Sequence, residues 1–243
     1  VSIKKKRIRG RLYRYASKSV RLPNGKIVTI EKILNGRKVD DSIMEFLSKR
    51  ENEILVGHAL RAFNADSVFT QEQIREIEEM RIAYKKIVRK LTRKQLQDVF
   101  DRFTVNFTYE SNALEGNSLT LKDVAIIIES NMVPKGKDLR EIYDTRNSRR
   151  VVDLILRRKF RINTKDIVKM HSMLVKDMEI PEGFKRVPKF IVGGNVQTTP
   201  PEHVEKEISK LVEWINVNPE KFHPLQLAAR SHGKFEKIHP FED

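Results

Sequence analysis

The spacing of apolar residues changes period along this chain, and the changes mark its elements. Arg11 to Arg21 is rich in β-formers, Leu22-Pro23-Asn24-Gly25 has turn chemistry, and the chain resumes as Lys26 to Ile33. A β-hairpin over residues 8–34 follows, broken by Asn35-Gly36. Tyr13 and Tyr15, two apart, share one strand face. From Asp40 the period becomes helical. Ile43, Phe46, Leu47 and Ile54 make one stripe, and Ile74, Ile77, Ile82, Tyr84 and Ile87 make another after the capping box Thr70…Gln73. Leu96 to Leu114 predicts a third helix, with Val99, Phe100, Phe103, Phe107 and Leu114 as its core positions and Gly116-Asn117 as its stop. Thr120 caps a fourth, bearing Val124, Ile127 and Ile128. Further helices are expected over 137–160, 164–178, 201–217 and 224–238, the last two opened by prolines suited to a first turn. Residues 184–199 interrupt this run as a β-rich island with a Gly193-Gly194-Asn195 turn.

Composition narrows the partners. The chain of 243 residues carries a formal charge of +15 and no cysteine. That rules out a disulfide framework, a thiolate nucleophile and cysteine-ligated zinc, and makes a cytoplasmic location the default. No apolar run approaches the roughly 20 residues that span a bilayer, so no membrane insertion is expected. Residues 1–38 hold thirteen Lys and Arg against the single acid Glu31, a local charge of +12 that leaves +3 for the rest. Such an arm suits a nucleic-acid backbone or an anionic membrane surface, and equally a solvated, solubilising face.

Chemistry gathers at the C-terminal end. His239 follows a helix and precedes a proline, so it stands at a junction where an imidazole can face a substrate as a general base. Asp243, four residues on, offers a carboxylate oxygen of the kind Mg²⁺ prefers. By itself the pair is equally a surface hydrogen-bonding pair. His58, His203 and His232 have no metal-ligand spacing. His171 and Trp214 read as packing residues.

The surrounding sequence is more specific. HPLQLAARSHGKFEKIHPFED, with His223-Pro224, Ala228, His232 and Phe235, resembles the core motif of the Fic (filamentation induced by cyclic AMP) family of protein adenylyltransferases. GFKRVPKFIVGGNVQTTPPEHVEKEI resembles that family's flap, from Gly183 and Arg186 through Ile191-Val192-Gly193-Gly194 to Pro200-Pro201 and Val204. TYESNALEGNSLTL, with Ser111, Glu115 and Gly116, resembles the inhibitory motif of the autoinhibited subclass whose inhibitory helix precedes the core. The resemblance spans roughly residues 70–243, with the three motifs in the family's order.

The resemblance implies a mainly α fold, a Fic-type helical bundle with a β-hairpin flap, here preceded by the small basic β-hairpin. It divides the chain into a basic arm (1–38), an N-terminal helical region (39–110) and a Fic domain with its inhibitory motif (111–243). It implies AMP transfer from ATP to a Ser, Thr or Tyr hydroxyl of a target protein, with His239 as base and Asp243 holding Mg²⁺. Val192, Gly193, Gly194, Asn195 and Phe241 would lie against the nucleotide, and the target would lie along the flap as an added strand. Ser111, Glu115 and Gly116 would inhibit, Glu115 pairing with an arginine beyond the family's glycine loop. Glu115 would also serve AMP removal by orienting water. The same fold serves transfer of UMP, phosphocholine or phosphate, and a nucleic-acid-binding regulator using residues 1–38 is the alternative of another class. A homodimer is a family expectation. The sequence stops at Asp243, ahead of the family's Gly-Asn-Gly-Arg loop, so these residues alone are expected to be incomplete for activity.

Overall fold

A computed structural model describes residues 1–189 and 197–242. Its fold is mainly helical with one small antiparallel sheet, in two compact units: residues 1–90 with 220–223, and residues 91–219 with 224–243.

The first unit opens with a sheet in the order β1 (Ser2–Ile8), β2 (Arg11–Arg21), β3 (Ile27–Ile33). The hairpin expected over 8–34 is therefore two strands of three. The missed strand, Ser2–Ile8, is SIKKKRI, and its lysines hid the alternation that marks a half-buried strand. All seven of its residues are exposed. Only one face of the sheet is covered. Ala16, Val20, Ile30 and Leu34 pack there on Ile43 and Leu47 of α1 (Asp41–Ala62). Asp40 caps α1 by accepting from the Ile43 N–H at 2.9 Å.

The helix α2 (Gln71–Val88) starts at the predicted capping box, Thr70 with Gln73. Its buried stripe is Ile74, Glu78 and Ile82, whereas Tyr84 and Ile87 are exposed. The face thus corrects the apolar stripe expected: a carboxylate occupies its centre. Glu78 is 1% exposed and accepts from Arg81 Nε at 2.6 Å and from His223 Nε2 at 3.1 Å. An ionised carboxylate only accepts, so that ring nitrogen carries the proton. The Phe63 ring meets His223 edge-on at 5.2 Å. Burial raises the Glu78 pKa, but the hydrogen bonds from Arg81 and His223 outweigh it and hold the carboxyl below its ordinary range.

The second unit contains α3 (Arg93–Leu114), α4 (Leu121–Glu129), α5 (Leu139–Leu156), α6 (Thr164–Leu174), α7 (Pro201–Val217) and α8 (Pro224–Ile238). Val105, Leu119, Val124, Ile127 and Ile142 form one core cluster. Val204, Ile208, Leu211 and Ile238 form another, against which Ile167, Phe184, Trp214 and Phe235 pack. The face of α3 needs correcting. Val99, Phe103, Phe107 and Leu114, expected in the core, are exposed, and Thr104, Val105, Thr108 and Asn112 are buried. The cause is the neighbour α5. Small polar side chains let the two helices meet closely, with Asn112 donating to Thr145 Oγ1 at 3.4 Å and Ser148 Oγ to Asn112 Oδ1 at 3.3 Å. Phe103 and Phe107, one turn apart, stack on each other at 5.5 Å.

Candidate active site

The loop after α8 is positioned by its own sequence and by a clamp from residues 184–199. Pro240 disfavours helical backbone at the residue before it. His239 accordingly leaves the helix at φ +46°, a left-handed conformation uncommon for a histidine, while its N–H closes the last turn onto Phe235 O at 2.8 Å. The ring therefore stands at the edge of the helix end, half-buried.

Main-chain bonds hold this loop from one side. The Lys185 N–H donates to Pro240 O at 2.8 Å and the Arg186 N–H to Glu242 Oε1 at 2.8 Å. Lys189 Nζ donates to Glu242 O at 2.8 Å, and the Thr199 N–H to Lys237 O at 3.3 Å. Phe241 anchors the other side. Its ring lies flat on buried His171, with centroids 3.9 Å and planes 9° apart, and Phe184 and Phe235 flank it at 5.9 and 6.1 Å.

At the centre of the clamp is Lys185, only 2% exposed. Its Nζ donates to Thr198 Oγ1 at 2.8 Å and to Ile238 O, a terminal carbonyl of α8, at 3.2 Å. Thr198 Oγ1 passes its own proton to Lys189 O at 2.7 Å. A cation there complements the negative end of the helix. Burial, with the nearby charge of Lys189, pushes the ammonium pKa down. Lys185→Met is expected to destabilise the second unit by about 1–2 kcal/mol, because the terminal carbonyl and Thr198 lose a charged donor in a dry site. Urea unfolding followed by the fluorescence of Trp214 measures this, and an unchanged midpoint would contradict it.

The residues expected to inhibit lie at the other end of α3. Ser111 is exposed on the last turn. Glu115 is not within the helix but caps it, at φ −85° and ψ 6°. Gly116, at φ +90°, lets the chain reverse. The Gly116 N–H bonds Ala113 O at 3.1 Å and the Asn117 N–H bonds Asn112 O at 3.0 Å, the paired pattern of a Schellman stop. The turn is tied down from α5, since Asn117 Nδ2 donates to Asp144 Oδ2 at 3.0 Å and Ser118 Oγ to Glu141 Oε2 at 3.1 Å. Burial raises the Asp144 pKa more than those bonds lower it. The Glu115 side chain, by contrast, is exposed and has no ion pair among the described residues.

Val192, Gly193, Gly194, Asn195 and Asp243 lie outside the described residues. His239, Phe241 and Glu242 share the clamped loop, and among the described residues no hydrogen bond or ion pair joins Glu115 to it. No group of three or more His, Asp or Glu side chains able to hold a metal occurs among the described residues. Lys185 and Thr198 escaped the sequence reading. A lysine between Phe184 and Arg186 looks like surface until its Nζ is seen at a helix end.

Residues 161–243 match the Fic/DOC family. A protein from Nematostella vectensis named protein adenylyltransferase Fic is 32% identical over 141 residues, covering 56% of this chain and 33% of that relative. One of the same name from Drosophila grimshawi is 30% identical over 141 residues, 56% of this chain and 29% of its own length. The chain thus spans about a third of the curated relatives it matches. A solved Fic-domain-containing signaling protein from Bacteroides thetaiotaomicron superposes with a TM-score of 0.59 at 25% identity, covering 65% of this chain and 63% of that one. Fic-1 (residues 134–508) from Caenorhabditis elegans shares the fold at 19% identity and a TM-score of 0.54, over 83% of this chain and 66% of that one.

Proposed function

We propose, for a chain whose residues 161–243 belong to the Fic/DOC family, that the protein is an adenylyltransferase that moves AMP from ATP to a Ser, Thr or Tyr hydroxyl of a target protein. The observation that carries this is the rigid His239 loop, with the likeness to relatives named protein adenylyltransferase in support. A base held at a strained φ and clamped through Pro240, Phe241 and Glu242 is pre-set for one direction of proton transfer.

His239 takes the proton of the target hydroxyl. The freed oxygen bonds to the α-phosphorus as the bond to the β-phosphate oxygen breaks, and pyrophosphate leaves. The donor chemistry suits Mg²⁺, since Asp243 supplies one oxygen and phosphates and water supply the rest, as this ion prefers. Bound there, Mg²⁺ would neutralise phosphate charge. Val192, Gly193, Gly194 and Asn195 would line the nucleotide beside Phe241, and the target would pair along their segment as a strand. A homodimer and a cytoplasmic setting complete the proposal, the latter in keeping with the absence of cysteine. No helix among the described residues is long and apolar enough to cross a membrane.

Glu115 is proposed to restrain this activity, and to orient water for AMP removal. Its support is the braced turn that presents an uncompensated carboxylate. Such a charge repels a triphosphate, or pairs with a cation the phosphates need. With the full-length protein, α-³²P-ATP should label and γ-³²P-ATP should not. Label from the γ-position would replace AMP transfer by phosphate transfer. Glu115→Gly should raise self-labelling about tenfold or more, the scale of releasing a coupling of roughly 1–3 kcal/mol. Equal labelling of variant and wild type would remove the inhibitory role.

A further inference from the structure

The outlying end of the sheet has a geometry of its own. β1 pairs with β2 from Ser2 opposite Ser17 to Ile8 opposite Arg11, whereas β3 pairs with β2 only from Tyr15 to Arg21. Residues Lys5–Ile8 and Arg11–Arg14 therefore continue past the end of β3 as a two-stranded ribbon. Arg9 (φ +47°) and Gly10 (φ +79°) close its tip as a two-residue turn with both residues left-handed. The core cluster under the sheet begins only at Ala16.

Charge is distributed over both faces of this ribbon. The register puts Lys5, Arg7 and Arg14 on one face with Leu12, and Lys6 and Arg11 on the other with Ile8 and Tyr13, while Arg9 is at the tip. Glu31 pairs with Lys4 and Lys6 at the base. Lys5, Arg7, Arg9, Arg11 and Arg14 have no ion pair among the described residues. Five unneutralised cations crowded on one ribbon repel each other, and nothing in the packing of the unit requires them.

We propose that this ribbon is a binding element for duplex DNA that enters the major groove. That groove is about 12 Å wide and admits a two-stranded β-ribbon, whose strands are about 5 Å apart before side chains are added. Inside it both faces of the ribbon meet a phosphate wall, which is the partner that two-faced cations match. A flat anionic surface, such as a membrane, meets one face and leaves the other charged in solution. The major groove of an RNA duplex is too narrow and deep for side-chain entry. This proposal is independent of the transferase activity.

The test is fluorescence anisotropy of a short mixed-sequence DNA duplex titrated with the full-length protein, alongside the same sequence as single strand and as RNA duplex, and anionic phosphatidylserine vesicles in a flotation assay. The DNA duplex should bind most tightly. The triple variant Arg7→Ala, Arg9→Ala, Arg11→Ala should weaken it about tenfold or more and lower the slope of log K against log salt by about 2 to 3, at about 0.9 per phosphate released. A control with equal charge loss, Arg157→Ala, Arg158→Ala, Lys159→Ala, should change binding far less. Gly10→Val keeps every charge but cannot easily hold the tip turn, and should also weaken binding. The proposal is overturned if the triple variant binds as wild type or if the control loses as much. Equal or tighter binding of single strand or RNA duplex overturns it too, as does a triple-variant loss confined to vesicles.

Discussion

His239→Ala is expected to lower AMP transfer by about 10²- to 10⁴-fold, the usual contribution of a positioned general base. The reason lies in how little else the side chain does. The loop is held through the Lys185 N–H to Pro240, through both ends of Glu242 and through the stacked ring of Phe241, and the bond from residue 239 to Phe235 O is made by the main chain. The variant should keep its fold and lose its proton acceptor. His239→Gly sharpens the test. Glycine tolerates φ +46° without strain, so it relaxes the backbone while also removing the base. Both variants should be equally inactive toward α-³²P-ATP with unchanged thermal unfolding. Activity retained in either would dismiss His239 as the base.

Glu78→Ala is expected to destabilise the first unit by about 3 kcal/mol, at the low end for a broken buried pair because the Arg81 partner is partly in water. Removal of the carboxylate leaves His223, 2% exposed, with its proton aimed at a cavity. Glu78→Gln keeps an acceptor and should cost less. The sign with pH follows from the lowered carboxyl pKa. A depressed carboxylate contributes its stability above its unfolded pKa and loses it as pH falls through the folded value. The gap between wild type and Glu78→Gln should therefore shrink on acidification below the ordinary glutamate range. Hydrogen exchange of the α2 amides reads this locally. A loss under about 1 kcal/mol at neutral pH would mean that solvent already screens the pair.

Those two sites differ in how they could be read. His239 was legible because its neighbours Pro240 and Phe241 form a motif along the chain. Glu78 was not, because its partner in space, His223, is far away in sequence. On α3 the apolar pattern misled. Phe103 and Phe107 are the larger apolar residues, yet Thr104, Thr108 and Asn112 face α5, because close helix approach rewards small side chains over large ones. On β1 the pattern was silent, since a strand exposed on both faces has no alternation to detect.

The sequence by itself determined what is local: the capping boxes at Thr70 and Thr120, the helix stop at Gly116, the positive arm and the His-Pro-Phe turn. Each depends on bonds within a few residues, or on charge that any fold would display. Only the tertiary structure decided what depends on distant groups meeting. It put Lys185 under the end of α8, laid His171 flat on Phe241, made Glu115 a cap rather than a helical residue, and let β1 and β2 run on past β3 as a ribbon charged on both faces. A charge acquires its meaning from the dielectric and the partners around it, and those are set when the chain is packed.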